Sequence, residues 1–451
     1  MKLFKEIKKP DDIVIASALV VSIIILIFAF TAIELPGPWG QPIKSIDNIK
    51  GKIKTIGGSR WDSFSSVTAT SDGGFVAVGT SNSNDGDIPG NKGFYDGIIF
   101  KFSRNGKLLW AKNVGGSDYD EFFSVAAAPD GGFVAVGVSE SGNGDIPENK
   151  GSKDAIIARF DENGDLLWVE SIGGSENEIF YSVTQTSDGG FVAVGVSNSN
   201  DGDLPSNKGN NDAIIAKYNE NGDFLWIKNV GGSEYDEFRS VTLASDGGFV
   251  AVGTSRSNDG DIPGNNETFD AIIVKFSENG SLLWVKTING NVSDALLSVT
   301  LTSEGEFVAV GTSSSSIGDI PGNKGSFDAI IVKFDENGNL LWGKSIGGIG
   351  DDSFNSVTQA RDGGFIAVGA SESGNGDIPG NIGSKDAIIA KFDENGDLLW
   401  VESIGGERDD SFNFVIRARD RGFIVIGYTS SFYGDISGNK GFDDAIIAKF
   451  G

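Results

Sequence analysis

The sequence SDGGFVAVG at residues 71–79 decides the fold, because it returns at a fixed interval along the rest of the chain. Counterparts of its Phe75 follow at steps of 58 residues, at Phe133, Phe191, Phe249, Phe307, Phe365 and Phe423. Two other landmarks keep this spacing: Asp96 opens a DGII or DAII stretch that occurs seven times, and Trp110 closes a Leu-Trp pair that occurs six times. Residues 46–451 therefore form seven units in constant register.

One unit contains four short segments with strand character. We predict strand A over residues 64–70, strand B over 75–80, strand C over 96–102 and strand D around 108–114. An Asn-Gly pair at 105–106 predicts the hairpin between C and D. Strand B is apolar on both faces, which is typical of a strand sandwiched between neighbours. Four antiparallel strands repeated seven times predict an all-β, seven-bladed β-propeller.

The two ends of the repeat region predict how the ring closes. The seventh unit ends after its strand C, whereas residues 48–58 (NIKGKIKTIGG) align with the strand D that ends at Val114. We therefore expect this N-terminal strand to close the last blade and leave no open sheet edge. Lys52 stands there in place of the tryptophan.

From about residue 46 to the end, the repeats resemble the propeller repeats of secreted and cell-envelope proteins of bacteria and archaea. The stretch Asp-x-x-Gly-x-Leu-Leu-Trp, as at residues 161–168, is also similar to the tryptophan-docking motif of quinoprotein-type propellers. The resemblance implies that Trp110 and its counterparts lock adjacent blades and do not form a cofactor site. It implies an envelope location but no single activity.

Composition removes several kinds of chemistry. The chain has no Cys and no His, which excludes disulfides, thiolate nucleophiles, Cys/His zinc sites and imidazole bases. The net charge is −27, from 63 acidic and 36 basic residues. Such a surface repels phosphate backbones, so nucleic acid is not expected as a partner. The acidic surface favours solubility, and it would also attract cations or cationic proteins.

An apolar segment near the N-terminus predicts a membrane anchor. Residues 13–33 carry no charge over 21 positions, enough for a helix to cross the hydrocarbon core. The preceding lysines, Lys2, Lys5, Lys8 and Lys9, place residues 1–12 in the cytoplasm by the positive-inside rule. A cleaved signal peptide is the competing interpretation, but the run is long for one. Residues 34–42 form a Pro/Gly spacer, and residues 43–451 are the expected extracellular propeller of this single-pass protein.

Carboxylates recur on the face that carries the long D-to-A and B-to-C loops. One opens each strand A, at Asp62, Asp120, Glu178, Asp236, Asp294, Asp352 and Asp410. These seven would form a cation-binding funnel at the channel mouth, or each would accept hydrogen bonds from backbone N–H groups and fix its own turn.

The loop SNSNDGD at 81–87 faintly matches a calcium loop, but Ile317 and Tyr433 occupy a ligand position in two copies. Calcium is thus a weak expectation, and no cofactor is expected.

A specific ligand must use positions that differ between blades. Three residues after the opening carboxylate the blades carry Ser65, Phe123, Tyr181, Arg239, Leu297, Asn355 and Asn413. Phe123, Tyr181 and Arg239 lie on consecutive blades and could stack on a sugar or hold a peptide, or simply pack in a wide channel.

No Asp or Glu stands out from its counterparts in the other blades, so no catalytic pair is predicted. Lys101 and its counterparts are interpreted as intra-blade ion-pair or stem-packing residues, and not as Schiff-base lysines.

These observations favour a non-enzymatic, membrane-anchored scaffold that binds a cell-envelope protein or glycan. The alternative is an extracytoplasmic carbohydrate-active enzyme that uses carboxylates in the propeller funnel.

Overall fold

The structure is a computed structural model that describes residues 53–262, 268–320, 322–420 and 422–450. Within these residues the chain forms seven four-stranded antiparallel sheets, which are the blades. In chain order the strands are β1 (Lys54–Ile56), β2 (Asp62–Ala69), β3 (Phe75–Ser81), β4 (Asp96–Phe102), β5 (Leu108–Val114), β6 (Asp120–Ala127), β7 (Phe133–Ser139), β8 (Asp154–Phe160), β9 (Leu166–Ile172), β10 (Glu178–Gln185), β11 (Phe191–Ser197), β12 (Asp212–Tyr218), β13 (Phe224–Val230), β14 (Asp236–Leu243), β15 (Phe249–Ser255), β16 (Asp270–Phe276), β17 (Leu282–Ile288), β18 (Asp294–Leu301), β19 (Phe307–Ser313), β20 (Asp328–Phe334), β21 (Leu340–Ile346), β22 (Asp352–Gln359), β23 (Phe365–Ser371), β24 (Asp386–Phe392), β25 (Leu398–Ile404), β26 (Asp410–Arg417), β27 (Phe423–Thr429) and β28 (Asp444–Phe450).

Blades 1 to 6 each contain four consecutive strands, from β2–β5 in blade 1 to β22–β25 in blade 6. Blade 7 combines β26, β27 and β28 with β1. Strand A of each blade contacts strand A of the next, and β2 of blade 1 contacts β26 of blade 7. The predicted seven-bladed ring is therefore confirmed, with strand A innermost, since strand-A residues line the channel.

The apolar core lies between the blades. One cluster joins Val78 and Ile99 of blade 1 to Phe122, Phe133 and Phe160 of blade 2, all buried. Both faces of strand B thus meet a hydrophobic neighbour, which explains why β3, β7 and their counterparts lack the usual apolar–polar alternation.

The N-terminal strand closes blade 7, as predicted. β1 pairs antiparallel with β28, and Lys54, Thr55 and Ile56 lie opposite Ile447, Ile446 and Ala445. Ile56 is buried in the core cluster between blades 7 and 1. The paired segment is shorter than the predicted one, and residues 48–52 lie outside the described part of the chain.

Tryptophan docking is visible at five of the blade junctions. The indole of Trp110 in blade 1 lies on Gly164 in the C-to-D turn of blade 2, where a Cβ would come within 2.5 Å of the ring. The same contact joins Trp168 to Gly222, Trp226 to Gly280, Trp284 to Gly338 and Trp342 to Gly396. The tryptophans therefore have the structural role that the resemblance implies.

Substituting Gly222 tests the docking contact. Gly222 has φ +91° and a Cβ there would lie 1.9 Å from Trp168 Cζ2, so Gly222→Ala combines backbone strain with a clash. Gly73 in another turn has φ +85° but only an ordinary contact at 3.8 Å. We expect Gly73→Ala to lower the free energy of unfolding by about 1–2 kcal/mol and Gly222→Ala by about 2 kcal/mol more. Equal losses in denaturant titrations would contradict a docking role for the indole.

The predicted ion pairs within blades are confirmed. Lys101 Nζ lies 3.2 Å from Asp72, Arg159 lies 2.6 Å from Asp130, and Lys217 lies 2.7 Å from Asp188. The cation in each pair is almost fully buried while the carboxylate stays largely exposed.

The predicted membrane segment at 13–33, the preceding residues 1–12 and the spacer at 34–42 lie outside the described residues. Within the described ranges the chain forms no helix with the length and apolar character needed to cross a bilayer.

Candidate functional site

The seven carboxylates that open strand A are buried and do not form an open funnel. All seven are at most 4% exposed. In blade 2, Asp120 Oδ1 accepts a hydrogen bond from Ser139 Oγ at 2.5 Å. Its Oδ2 accepts from the Gly116 N–H at 2.7 Å and Ser141 Oγ at 2.8 Å. This arrangement agrees with the alternative in which each carboxylate fixes its own turn. In six blades the carboxylate accepts a hydrogen bond from the N–H of its own D-to-A loop. In blade 5, Asp294 accepts from Ser315 Oγ at 2.9 Å, and its Oδ1 has no hydrogen-bond partner among the described residues.

A Gly-Gly pair precedes the opening carboxylate in six blades, and blade 5 has Asn289-Gly290 there. A Cβ on Gly115 would lie 2.6 Å from Asp96 Oδ1 and 2.8 Å from Asp120 Oδ2, so only glycine fits between the two carboxylates. Burial raises the pKa of both Asp96 and Asp120. Asp96 Oδ1 is buried without a hydrogen-bond partner among the described residues.

Carboxylates of the B-to-C loops connect neighbouring blades. Asp203 Oδ2 accepts from the Gly173 N–H at 3.1 Å and from Lys150 Nζ of the preceding blade at 2.7 Å. Asp145 makes the same contacts with Gly115 and Lys92. Across the described ranges, no group of three or more acidic side chains is placed to hold a metal ion.

The variable strand-A positions converge on one cavity, which we call the upper chamber. It encloses about 320 Å³ at the long-loop end of the channel. Its wall includes all seven variable residues, Ser65, Phe123, Tyr181, Arg239, Leu297, Asn355 and Asn413.

Phe123, Tyr181 and Arg239 lie side by side on one wall of the upper chamber. The Phe123 and Tyr181 rings are 5.5 Å apart, and the Arg239 guanidinium carbon lies 4.2 Å from the centre of the Tyr181 ring. Arg239 Nε donates to Glu237 Oε1 at 2.6 Å. Among the described residues, the Tyr181 hydroxyl and the terminal Arg239 nitrogens have no hydrogen-bond partner. This wall therefore offers aromatic surface and unpaired polar groups together.

Two glutamates correct the expectation that no carboxylate stands out. One residue after the opening carboxylate, blades 2 and 4 carry Glu121 and Glu237, where the other blades have Ser63, Ile179, Ala295, Ser353 and Ser411. Glu121 accepts a hydrogen bond from the Tyr119 hydroxyl, and Glu237 accepts one from the Tyr235 hydroxyl at 2.6 Å. The sequence signal was the Tyr-Asp-Glu triplet, which occurs only in these two blades.

Glu121 is the more unusual of the two because it lines the upper chamber. Burial raises its pKa to about 7, against the opposing effect of the Tyr119 hydrogen bond. Near neutral pH this carboxyl group therefore serves either as a hydrogen-bond donor or as an acceptor.

The opposite wall is structural. Asn355 Nδ2 donates to the Phe412 carbonyl at 3.0 Å, and Asn413 Nδ2 donates to the Phe64 carbonyl at 2.8 Å, each across a blade junction. Phe414 replaces the serine of the other blades and contacts both the upper chamber and the cavity below it. The distinctive groups available to a ligand are thus concentrated on the wall formed by blades 2 to 4.

Comparison with known proteins does not assign the chain to a family. No protein-family model matches the chain. The regulatory protein FlaEY of Caulobacter vibrioides is 24% identical over 223 residues, which cover 46% of this chain and 21% of that protein. The match therefore spans about a fifth of that relative's length.

Several solved structures are similar in architecture. Sqt1 from Chaetomium thermophilum is 12% identical, with 88% of this chain and 99% of that chain covered and a TM-score of 0.45. YCF48 bound to D1 peptide is 11% identical, with 93% and 98% covered and a TM-score of 0.45. Puromycin hydrolase is 11% identical, with 82% and 51% covered and a TM-score of 0.47. At such TM-scores nothing about function follows from these likenesses.

Proposed function

We propose that the chain is a non-enzymatic, membrane-anchored scaffold at the cell surface that binds an envelope protein or glycan in the upper chamber. One observation carries the proposal: Phe123, Tyr181 and Arg239 come together on one wall of the upper chamber. At the same repeat position, the other four blades carry a serine, a leucine or an asparagine that contacts the next blade. Seven similar blades cannot orient a ligand by themselves, whereas one distinctive wall can.

The chemistry of this wall indicates what would bind. Phe123 offers a ring face for a sugar or an apolar side chain, and Arg239 offers a planar fork of donors. Glu121 adds a donor or acceptor on the same side. A volume of about 320 Å³ is at the small end for ligand pockets. We therefore expect one sugar unit or one protruding side chain to enter, with the rest of the partner on the long-loop face.

The proposed location follows from the sequence. The uncharged run at 13–33 with lysines before it supports a single-pass anchor with a cytoplasmic N-terminus. The propeller would then be displayed outside the cell.

The binding test uses the propeller, residues 43–451, against arrays of envelope glycans and peptides. For the ligand found, we expect Tyr181→Ala and Arg239→Lys each to weaken the affinity by about thirtyfold, as removal of a hot-spot residue does. Calorimetry or surface plasmon resonance measures the loss, and melting curves check the fold. Lysine keeps a cation beside Glu237 but lacks the guanidinium fork.

Leu297→Ala is the matched control, because Leu297 occupies the equivalent position in blade 5 and also lines the chamber. Asn355 and Asn413 are unsuitable controls, since both hold neighbouring blades. Equal losses at Leu297 and Tyr181 would refute the assigned wall.

The carbohydrate-active enzyme remains the second candidate because of Glu121. A general acid needs a pKa near the working pH, and burial raises that of Glu121 to about 7. Hydrolysis of a bound glycan that Glu121→Gln abolishes without loss of binding would favour the enzyme over the scaffold.

A further inference from the structure

The turn face, which carries the A-to-B and C-to-D turns, has a positively charged region at blades 6, 7 and 1. We call it the basic sector, and its six exposed members are Lys54, Arg104, Lys107, Arg361, Arg417 and Arg419. It stands out because the whole chain carries a net charge of −27.

The same positions in other blades are acidic or neutral. The counterparts of Arg104 are Glu162, Glu220, Glu278, Glu336 and Glu394. Those of Lys107 are Asp165, Asp223, Ser281, Asn339 and Asp397. Arg417 replaces an alanine, glutamine or leucine in each of the other blades. The C-to-D turn of blade 1 is therefore positive where those of blades 2 to 6 are acidic or neutral. Blade 6 contributes Arg361 to the sector but has Glu394 and Asp397 in its own C-to-D turn, and Arg104 pairs with Asp420 of blade 7 at 3.3 Å.

Hydrogen bonds show that the sector is continuous across three blades. Arg361 Nη2 of blade 6 donates to the Arg419 carbonyl of blade 7 at 2.9 Å. Arg419 Nη1 donates to the Ser71 carbonyl of blade 1 at 2.7 Å. Lys54 Nζ of β1 donates to the Gly106 carbonyl of blade 1 at 2.8 Å. The last two contacts reinforce the closing junction between blades 7 and 1, where Lys52 takes the place of a docking tryptophan.

Two members of the basic sector make no contact of this kind between blades. The side chains of Arg417 and Lys107 are exposed and make no hydrogen bond or ion pair with any described residue. Their positive charge is therefore available to an anionic partner.

We propose that the basic sector docks on the anionic headgroups of a lipid bilayer. Lys54 begins β1 and lies in this sector, so the chain enters the ring here, downstream of the apolar run at 13–33. The inference rests on the membrane anchoring proposed above, which holds the propeller near a bilayer. Each Lys or Arg close to an anionic surface favours the docked state by about fivefold. Docking turns the upper chamber, at the other end of the channel, away from the membrane and toward external ligands.

The test places the full chain in nanodiscs of phosphatidylcholine, with or without phosphatidylglycerol, that contain a headgroup-nitroxide lipid. Because the chain has no Cys, Asn105→Cys gives a single fluorescent label in the C-to-D turn of the basic sector. Asn337→Cys, in the equivalent turn of blade 5, is the matched control. We expect quenching at position 105 only with phosphatidylglycerol, none at 337, and loss of quenching at high salt.

Lys107→Ser combined with Arg417→Gln removes two cations and introduces residues that other blades carry at these positions, Ser281 and Gln185. The melting temperature should stay unchanged, while the ratio of docked to undocked molecules should fall by about 25-fold. Quenching without phosphatidylglycerol, or none with it, would overturn the proposal. If soluble polyphosphate binds instead, and the double variant removes that binding, the sector serves a soluble polyanion and the lipid assignment fails.

Retention of the chain in the nanodisc is scored separately. A chain that does not co-elute with nanodiscs refutes the anchor, and docking is then read from binding of the labelled chain to vesicles with and without phosphatidylglycerol. Failure of the anchor and failure of the docking surface are thus distinguishable.

Discussion

Deleting residues 43–56 from the propeller is expected to lower its melting temperature by more than about 10 °C or to cause aggregation. The deletion removes β1, which leaves the hydrogen-bonding edge of β28 unpaired. It also removes Ile56 from the core between blades 7 and 1 and the Lys54 contact to Gly106. Melting curves and light scattering measure the two outcomes.

The control is deletion of residues 43–50 alone, which leaves β1 in place. A propeller without residues 43–56 that stays monomeric and melts like the parent would show that the pairing of β1 with β28 does not hold the ring closed.

Lowering the pH from about 7.5 to about 5 is expected to stabilise the propeller, raising its melting temperature by about 5 °C or more. Burial raises the pKa of Asp410 and of Asp444 from 3.8 to about 6, and it also raises the pKa of the opening carboxylates of the other blades. The folded protein then binds more protons than the unfolded chain between these values. The stabilisation is fully present below pH 3.8 and is lost as the pH rises through about 6.

Surface carboxylates have the opposite effect on stability, but their effect falls below the pH range of this experiment. Hydrogen bonds and the adjacent cations Lys101 and Lys217 lower the pKa of Asp72 and Asp188 to about 2, against the effect of burial. Their contribution is present above 3.8 and is lost only as the pH falls toward 2. Asp444→Asn removes one of the buried charges and should flatten the change between the two pH values. A parent protein less stable at about pH 5 than at about 7.5 would contradict this account.

The fold was predictable because its determinants are local and repeated. Strands C and D were predicted with the observed bounds, since Asp96 and the Asn-Gly hairpin mark them in sequence. Strand A begins two residues earlier than predicted. Its opening Asp62 resembles a loop residue but already pairs with Ser81.

The site was predictable only where it breaks the repeat. Phe123, Tyr181 and Arg239 were identified because nothing like them occupies the equivalent positions. Glu121 and Glu237 were missed because each directly follows a repeated opening carboxylate, so they were not compared with the uncharged residues at the same position in the other blades. The burial of Asp120 and the hydrogen bond from Asn355 to the next blade depend on the distance between neighbouring blades. The repeat pattern in the sequence does not reveal that distance.

The short pairing of β1 with β28 also decides how the ring responds to force. A pull on the N-terminal side of Lys54, against a partner held on the long-loop face, would run along the axis of β1. It would load the ladder opposite Ile447, Ile446 and Ala445 in shear, so that its hydrogen bonds share the tension. With three paired residues, β1 is expected to detach first under load. Blade 7, which has Lys52 in place of a docking tryptophan, would then open before the six blades that the tryptophans join.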